Sequence, residues 1–381
     1  MDINNSRNPE VFIVETLKRT SLYEAHKALG ARLIDFAGFE MPVRYSGVLE
    51  EHMAVREHAG MFDVSHMGEI LVSGPDARDF LQRVITNDLA RIDTGQALYT
   101  VMCQDDGGII DDLLVYQLSS TDYMLVVNAA NREKDLDWLQ THAFGNVECV
   151  DLSDTTALIA IQGPRSRNIL EKATSLSFQE LGSFHFQQFG DAAFSGARDV
   201  LISATGYTGE KGFEIYLESE GAEAVWNLLL ATGEEMGLKP AGLSARDTLR
   251  MEAGFCLYGN DITESTTPLE AGLGWVTTLS KESFIGKEAL VAQKEKGVSR
   301  RLVGFVMEDR GIPRRGFPIL SENGEAIGAV TSGSQSPVRK NGIGLGYVTN
   351  DTHYTSPGNS IWIDIRGKSL QATIKKPPLH K

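Results

Sequence analysis

Between residues 97 and 117 the chain reads "ALYTVMCQ", then Asp-Asp-Gly-Gly, then "IIDDLLVYQ". Two apolar runs around an Asp-Gly pair predict a β-hairpin, since tight primed turns need backbone angles that Gly adopts freely. Side chains alternate along a strand. Ile109, Asp111, Leu113 and Val115 therefore share one face, and Ile110, Asp112, Leu114 and Tyr116 the other. Each acid is the odd polar member of an apolar face, and a buried carboxylate is costly unless it is paired or bonded. The pattern leaves two readings open. Either this is a solvated strand end, with Asp106 and Asp111 capping the hairpin, or one acid turns into a dry cleft. The two acids cannot enter the same cleft.

The same patterning organises the neighbouring chain. "VLEEHMAVREHAGMF" (48–62) predicts a helix and "VSHMGEILVSG" a strand. "PDARDFLQRVI" opens on Pro75 with acids close by, a helix start. "DYMLVVN" predicts a strand, "NREKDLDWLQTHA" a polar-faced helix and "NVECVDL" a strand. Strand, helix, strand pair, helix, strand is the split βαβ order of ferredoxin-like units. A weaker copy follows in "ALIAIQG", "PRSRNILEKAT", the hairpin "DVLISATGYTGEKGFEIYL" and "GAEAVWNLLLATGEEMG". After the helix "LSARDTLRMEAG" and the charged "GKEALVAQKEKGVSRR", the pattern changes. From Arg301 short β-like runs alternate with turns at Asn323-Gly324, Asn341-Gly342 and Arg366-Gly367, which predicts a small barrel. A boundary falls near 285–300.

Composition narrows the classes. Of 381 residues, 42% are hydrophobic and 23% charged, ordinary for a globular chain of two or three domains. The net charge of −15, with no basic run, disfavours nucleic acid and anionic membranes as partners. No segment has the length and apolarity of a membrane span. Cys103, Cys149 and Cys256 lack CxxC spacing, which argues against a disulfide framework or a zinc site and suits a reducing compartment. "MDINNSRNPEVFIVETLKR" has no apolar signal core and carries acids that a transit peptide avoids, so the expected location is the cytoplasm.

Three further segments are candidates for chemistry. "GYTGEKGFE" (206–214) is Gly-rich but runs into a strand, with Glu210 and Glu214 where a phosphate loop has Lys and Ser. It suits a neutral or amine-bearing ring system, or a plain hairpin turn, better than a phosphate. "GLSARDTLRMEAG" (242–254) sets Arg246 and Arg250 a turn apart, either as an ion-pair face or with Arg246 free to hold a carboxylate. His52 and His58 lack HExxH spacing, and His66 reads as a packed residue. "GIGLGY" lies between β-runs and fails the context of a dinucleotide fingerprint.

Taken together, these segments resemble the aminomethyltransferase (T-protein) family of the glycine cleavage system. The collinear blocks include "FAGFEMPVRYSGVLEEHMAVREHAGMFDVSHMGEI", "GQALYTVMCQDDGGIIDDLLVY", "VVNAANREKDLDWL", "TGYTGEKGFEI", "GLSARDTLRMEAGFCLYGNDI", "TPLEAGLGW" and "VTSGSQSP", and they run from about 20 to 350. The resemblance implies an α+β, three-domain cloverleaf: two ferredoxin-like-related α+β units binding folate between them, plus a C-terminal β-barrel. The division would be an N-terminal extension (1–19), folate-binding parts at 20–152 and 153–285, and a barrel at 286–381. The implied reaction moves the methylene carbon of an S-aminomethyldihydrolipoyl carrier protein to tetrahydrofolate, giving ammonia and 5,10-methylenetetrahydrofolate without a metal.

The resemblance also picks one face of the hairpin. It implies that Asp112 is catalytic, stabilising iminium-like charge and holding the N5 proton, with Asp111 its structural partner. Such an anion should keep a low pKa through a bonded donor or a nearby cation. Tyr99 is implied to pack on the ring system and Asn128 to bond near the pterin edge. Tyr207 would lie along the ligand, Glu214 accept from pterin N–H groups, and Arg246 take the glutamate end. Two relatives of other function are weighed against this. A folate-binding iron–sulfur maintenance protein would carry a cysteine where "KESFIGKE" has Ser283. A folate-dependent demethylase of the same fold would share the folate site and differ in the small-substrate pocket.

Overall fold

The computed structural model describes residues 16–381, so most of the expected extension over 1–19, and the reading of that segment as free of a signal core, lies outside the described residues. One antiparallel sheet has the order Ala97–Cys103, Ile109–Gln117, Asp122–Val127, Gly68–Ser73, Glu148–Asp151. Helices Ala77–Val84 and Arg132–His142 complete the split βαβ order that the patterning predicts. Ile70, Val72, Phe80, Leu81, Val115 and Leu125 fill the core between this sheet and its helices.

The second sheet repeats that order. It runs Phe186–Gly190, Val200–Ser203, Gly212–Glu218, Thr156–Gln162, Ala59–Asp63, Leu238–Pro240. It is backed by Ser166–Thr174 and Ala222–Gly233, with Met61, Ile159, Ile161 and Trp226 in its core. Its one departure from the first sheet is the inserted strand Ala59–Asp63. This corrects the helix expected over 48–62, which ends at Glu57. The chain folds back so sharply that a Cβ on Gly60 would sit 2.3 Å from Val55 Cγ2. All five strand residues are buried, and an apolar run without polar interruption carries no period to separate strand from helix.

The sheets face each other across a third apolar cluster containing Phe62, Val64, Tyr116, Val126, Leu158 and Tyr216. The Tyr116 and Tyr216 hydroxyls meet at 3.0 Å and bind the two faces together. Leu113 and Val115 point to the helices, and Leu114 and Tyr116 to this interface, which is the alternation read from the sequence.

Six strands close the predicted barrel: Arg300–Met307, Gly342–Thr349, Ala326–Gln335, Pro318–Leu320, Ser360–Ile365 and Lys368–Ile374. The glycines of "GIGLGY" serve packing here. A Cβ on Gly344 would lie 2.3 Å from the Phe305 ring. Helix Leu243–Ala253 docks the barrel onto the sheets through two buried charges. Arg250 donates to Asp261 Oδ2 at 2.8 Å, Ser332 Oγ at 3.0 Å and Asp247 Oδ1 at 2.8 Å. Glu252, at 0% exposure, meets His52 Nε2 at 3.0 Å and accepts from Arg56 Nη2 at 2.9 Å, Val338 N–H at 3.2 Å and the Ser336 hydroxyl. Its backbone carbonyl accepts the Leu379 N–H at 2.6 Å, pinning the C-terminal tail.

Candidate active site

Where the two sheets, the loop after helix Leu243–Ala253 and the barrel meet, they enclose a cavity of about 520 Å³. That volume falls within the range of small-molecule sites. Tyr99, Asp112, Asn128, Tyr207, Glu214 and Arg246, the six residues singled out from the sequence, all line it. The rest of the lining is mostly apolar, with Leu114 and Val126 from the first sheet and Leu302 and Leu345 from the barrel. Pro377 also reaches the cavity wall, so the short tail contributes to it.

Asp112 and Asp111 leave their strand on opposite faces. Asp112 shares its face with Leu114 and opens into the cavity, while Asp111 is fully buried behind the sheet. Neither caps the hairpin. Asp106 does that, accepting the Gly108 N–H at 2.9 Å. Asp112 is held from two sides. The Tyr99 hydroxyl donates to Oδ2 at 2.8 Å, and Asn128 Nδ2 donates to Oδ1 at 2.9 Å. Tyr99 comes from the neighbouring strand, and Asn128 follows directly after the strand on the other side, so the sheet register fixes both donors. Each carboxylate oxygen keeps further lone-pair capacity toward the cavity.

The donors expected to hold Asp112 low are present, yet they do not prevail. Burial raises its pKa, the Asp111 charge raises it further, and Tyr99 and Asn128 pull it back only to about 7. The expectation that its pKa stays low despite burial is thus corrected. The main cause is burial, and the adjacent acid, which leaves the sheet on the other side but stays within reach through it, adds to it.

Arg250, not Arg246, forms the ion pairs of its helix. Among the described residues the Arg246 side chain makes no ion pair and no hydrogen bond. Its guanidinium lies over the Tyr207 ring, 4.4 Å from the centroid, and faces the cavity. Burial lowers its pKa, the result of desolvating a cation without a bonded anion. The Tyr207 hydroxyl donates to the Cys256 carbonyl, which locks the ring in place. Glu214 takes the Thr205 hydroxyl, and burial raises its pKa. Glu210, its companion in the Gly-rich segment, instead pairs with Arg56 at 2.8 Å. His66 is buried edge-on to Phe36 at 5.3 Å, and burial beside the Arg246 charge lowers its pKa to about 4.

The sequence reading missed the aromatic rim. Phe184, Phe255 and Trp275 line the cavity while remaining exposed, Trp275 at 63%. The signal was present in "GLGW", where a tryptophan follows two glycines in an irregular segment.

Comparison with known proteins agrees with this architecture. Residues 22–281 match the GCVT N-terminal domain, and residues 300–381 match the glycine cleavage T-protein C-terminal barrel domain. An aminomethyltransferase of Halothermothrix orenii is 55% identical over 95% of this chain and 99% of its own length. One from Phocaeicola vulgatus is 48% identical over 96% of this chain and 100% of its own length. The crystal structure of the glycine cleavage system aminomethyltransferase T from Bartonella henselae superposes with a TM-score of 0.87 at 38% identity, covering 95% of this chain and 98% of that one. The chain belongs to the glycine cleavage T-protein, or aminomethyltransferase, family.

Proposed function

We propose that this aminomethyltransferase works in the glycine cleavage system. It would take the aminomethyl group from a lipoylated carrier protein, release ammonia and pass the carbon to tetrahydrofolate. The observation that carries this reading is the placement of Asp112 in a mostly apolar cavity, held by Tyr99 and Asn128. Tetrahydrofolate supplies the N5 atom that accepts the carbon. The lining suits it. Glu214 is a carboxyl acceptor for a guanidine-like ring edge. Arg246 is a cation without a bonded anion and matches a carboxylate tail. Leu114, Val126 and the Tyr207 ring give an apolar bed for flat rings.

In this reading Asp112 has two tasks. As an anion it stabilises the positive charge that develops on the aminomethyl carbon and nitrogen as the C–S bond breaks. A group with a pKa near 7 is also suited to take or hold a proton at N5, since proton transfer is most effective near the working pH. The approach of a cationic substrate lowers the pKa of Asp112 and favours the ionised form as the reaction begins. Tyr99 and Asn128 keep the carboxylate aimed at the cavity, and the apolar walls exclude water. The division into 20–152, 153–285 and 286–381 belongs to the same proposal, with folate between the first two.

No helix among the described residues is long and apolar enough to cross a membrane, and all three cysteines are free. Free thiols suit a reducing compartment such as the cytoplasm, where the carrier protein would be met. The test combines the protein with aminomethyl-loaded lipoyl carrier and tetrahydrofolate and follows ammonia. Release that does not exceed the folate-independent background refutes the reading.

A further inference from the structure

Behind Asp112, on the helix side of its strand, lies a carboxyl that the reaction above leaves unused. Asp135 sits near the start of helix Arg132–His142 at 0% exposure, and neither of its oxygens has a donor. Its carboxyl lies against that of Asp111, close enough for one proton to bridge them. Asp111 is equally buried but well supplied. It accepts the Asn128 N–H at 2.9 Å, Asn128 Nδ2 at 2.8 Å and Asn131 Nδ2 at 2.6 Å.

Two carboxyls in contact, with every N–H donor on one of them, decide where the charge resides. Asp111 carries it, and Asp135 keeps the proton, because a buried carboxylate without donors is the costlier species. The other charged groups nearby do not reverse this. Asp112 faces the pair from the strand and adds negative charge. Lys134, beside Asp135 on the helix, directs its ammonium to the Ile110 carbonyl at 2.7 Å, the Tyr258 hydroxyl at 2.8 Å and Glu264 at 3.2 Å. A helix N-terminus favours anions in its first turn, but no backbone N–H reaches Asp135.

We propose that Asp135 is a positioning residue of this site: as a neutral acid it donates to Asp111, and the Asp111–Asn128 contact so fixed orients Asp112. The transmission is short. Asn128 Nδ2 touches both Asp111 Oδ1 and Asp112 Oδ1, so a turn of Asp111 reaches Asp112 through one amide. The kinetic part of this inference rests on Asp112 as the reacting carboxylate. The protonation of Asp135 does not.

Infrared spectroscopy of the whole protein tests the protonation. At pH 8 the wild type should show the carbonyl stretch of a buried, protonated carboxylic acid. Glu69, also buried with no donor, contributes a band of its own, so the test reads difference spectra: Asp135→Asn should lose one acid component and Asp112→Asn none. A wild type without it, or an Asp135→Asn variant whose acid absorption is undiminished, overturns the proposal. Kinetics test the positioning. The amide of Asp135→Asn can still donate to Asp111, so kcat should stay within about threefold of wild type. Asp135→Leu cannot donate, and its kcat should fall roughly tenfold or more at unchanged KM for tetrahydrofolate, with a displaced acidic limb. A folded Asp135→Leu with wild-type kcat and pH profile, or an Asp135→Asn as impaired as Asp135→Leu, refutes it. If Asp135→Leu does not fold, the infrared band and Asp135→Asn decide. An active Asp112→Asn instead removes the reaction centre, and the kinetic part falls with it, while the infrared band still judges the proton.

Discussion

Asn128 Nδ2 stands 2.8 Å from Asp111 Oδ1 and 2.9 Å from Asp112 Oδ1, so one amide group joins two carboxylates on opposite faces of a strand. The two acids are therefore coupled in position but differ in task, and substitution should separate them. Asp112→Asn should lower kcat by on the order of a hundredfold or more, with little change in folate affinity or thermal stability. Asp111→Asn places an amide against the donors of Asn128 and Asn131, and should cost about 1–3 kcal/mol of stability. Thermal melts and steady-state kinetics on both variants check this. Equal kinetic loss with equal stability would contradict the assignment of faces.

Tyr99 supplies the second hold on Asp112. Its hydrogen bond favours the ionised carboxylate, so Tyr99→Phe should move the Asp112 pKa upward from about 7. The acidic limb of the pH–rate profile should then shift up by roughly 1 unit, in line with the strength of a hydrogen bond to a charged group. Activity at pH 7 should fall, and the two enzymes should converge at high pH. A limb that stays in place would show that another group sets the profile.

Arg246 and Glu214 are assigned to binding, so their loss should appear mainly in KM. Arg246→Ala and Glu214→Gln should each weaken tetrahydrofolate by roughly 10- to 100-fold, the range of a charge-assisted hydrogen bond. The kcat at saturation should stay near wild type. Titration of each variant with tetrahydrofolate, followed by calorimetry, measures the effect directly. Arg250→Ala should behave differently: it breaks the buried pair with Asp261 and should unfold the protein at a lower temperature.

Glu252 gives a pH-dependent stability. Burial raises its pKa, but His52, Ser336 and Arg56 hold it at about 2, below the ordinary 4.5. A depressed folded-state pKa adds stability that is present above pH 4.5 and lost as the pH falls toward 2. The contribution is on the order of 3 kcal/mol at neutral pH. Glu252→Gln should lose about that much at pH 7, and the gap from wild type should close on acidification. Urea melts across this window provide the measurement.

Much of the site was legible because it depends on local alternation. The opposite facing of Asp111 and Asp112 follows from strand period alone, and so does the placing of Leu114 and Tyr116 on the same face as Asp112. What periodicity could not supply was which face is the cavity. That depends on the second sheet, most of whose strands the chain reaches more than forty residues later. The Glu252 cluster was unreadable for the same reason, since Arg56 and Glu252 are 196 residues apart. Ala59–Asp63 was misread because a strand buried on both faces has no polar side to reveal its period. The pKa of Asp112 was misjudged because local pattern showed neither how completely the cavity desolvates it nor Asp111 acting through the sheet.

The Glu252 cluster has a further consequence. Its partners come from helix Val48–Glu57, from the barrel and from the C-terminal tail that carries Pro377 to the cavity. The carboxylate's part of that hold depends on one proton equilibrium, whereas the tail's bond to the backbone carbonyl and the apolar contacts behind each sheet do not titrate. Acid approaching pH 2 should therefore act as a key. It would loosen the Ser336 and Val338 contacts of the barrel with the helix and open the cavity to water while both sheets remain folded, a sub-global opening in which the enzyme loses its site before it loses its shape.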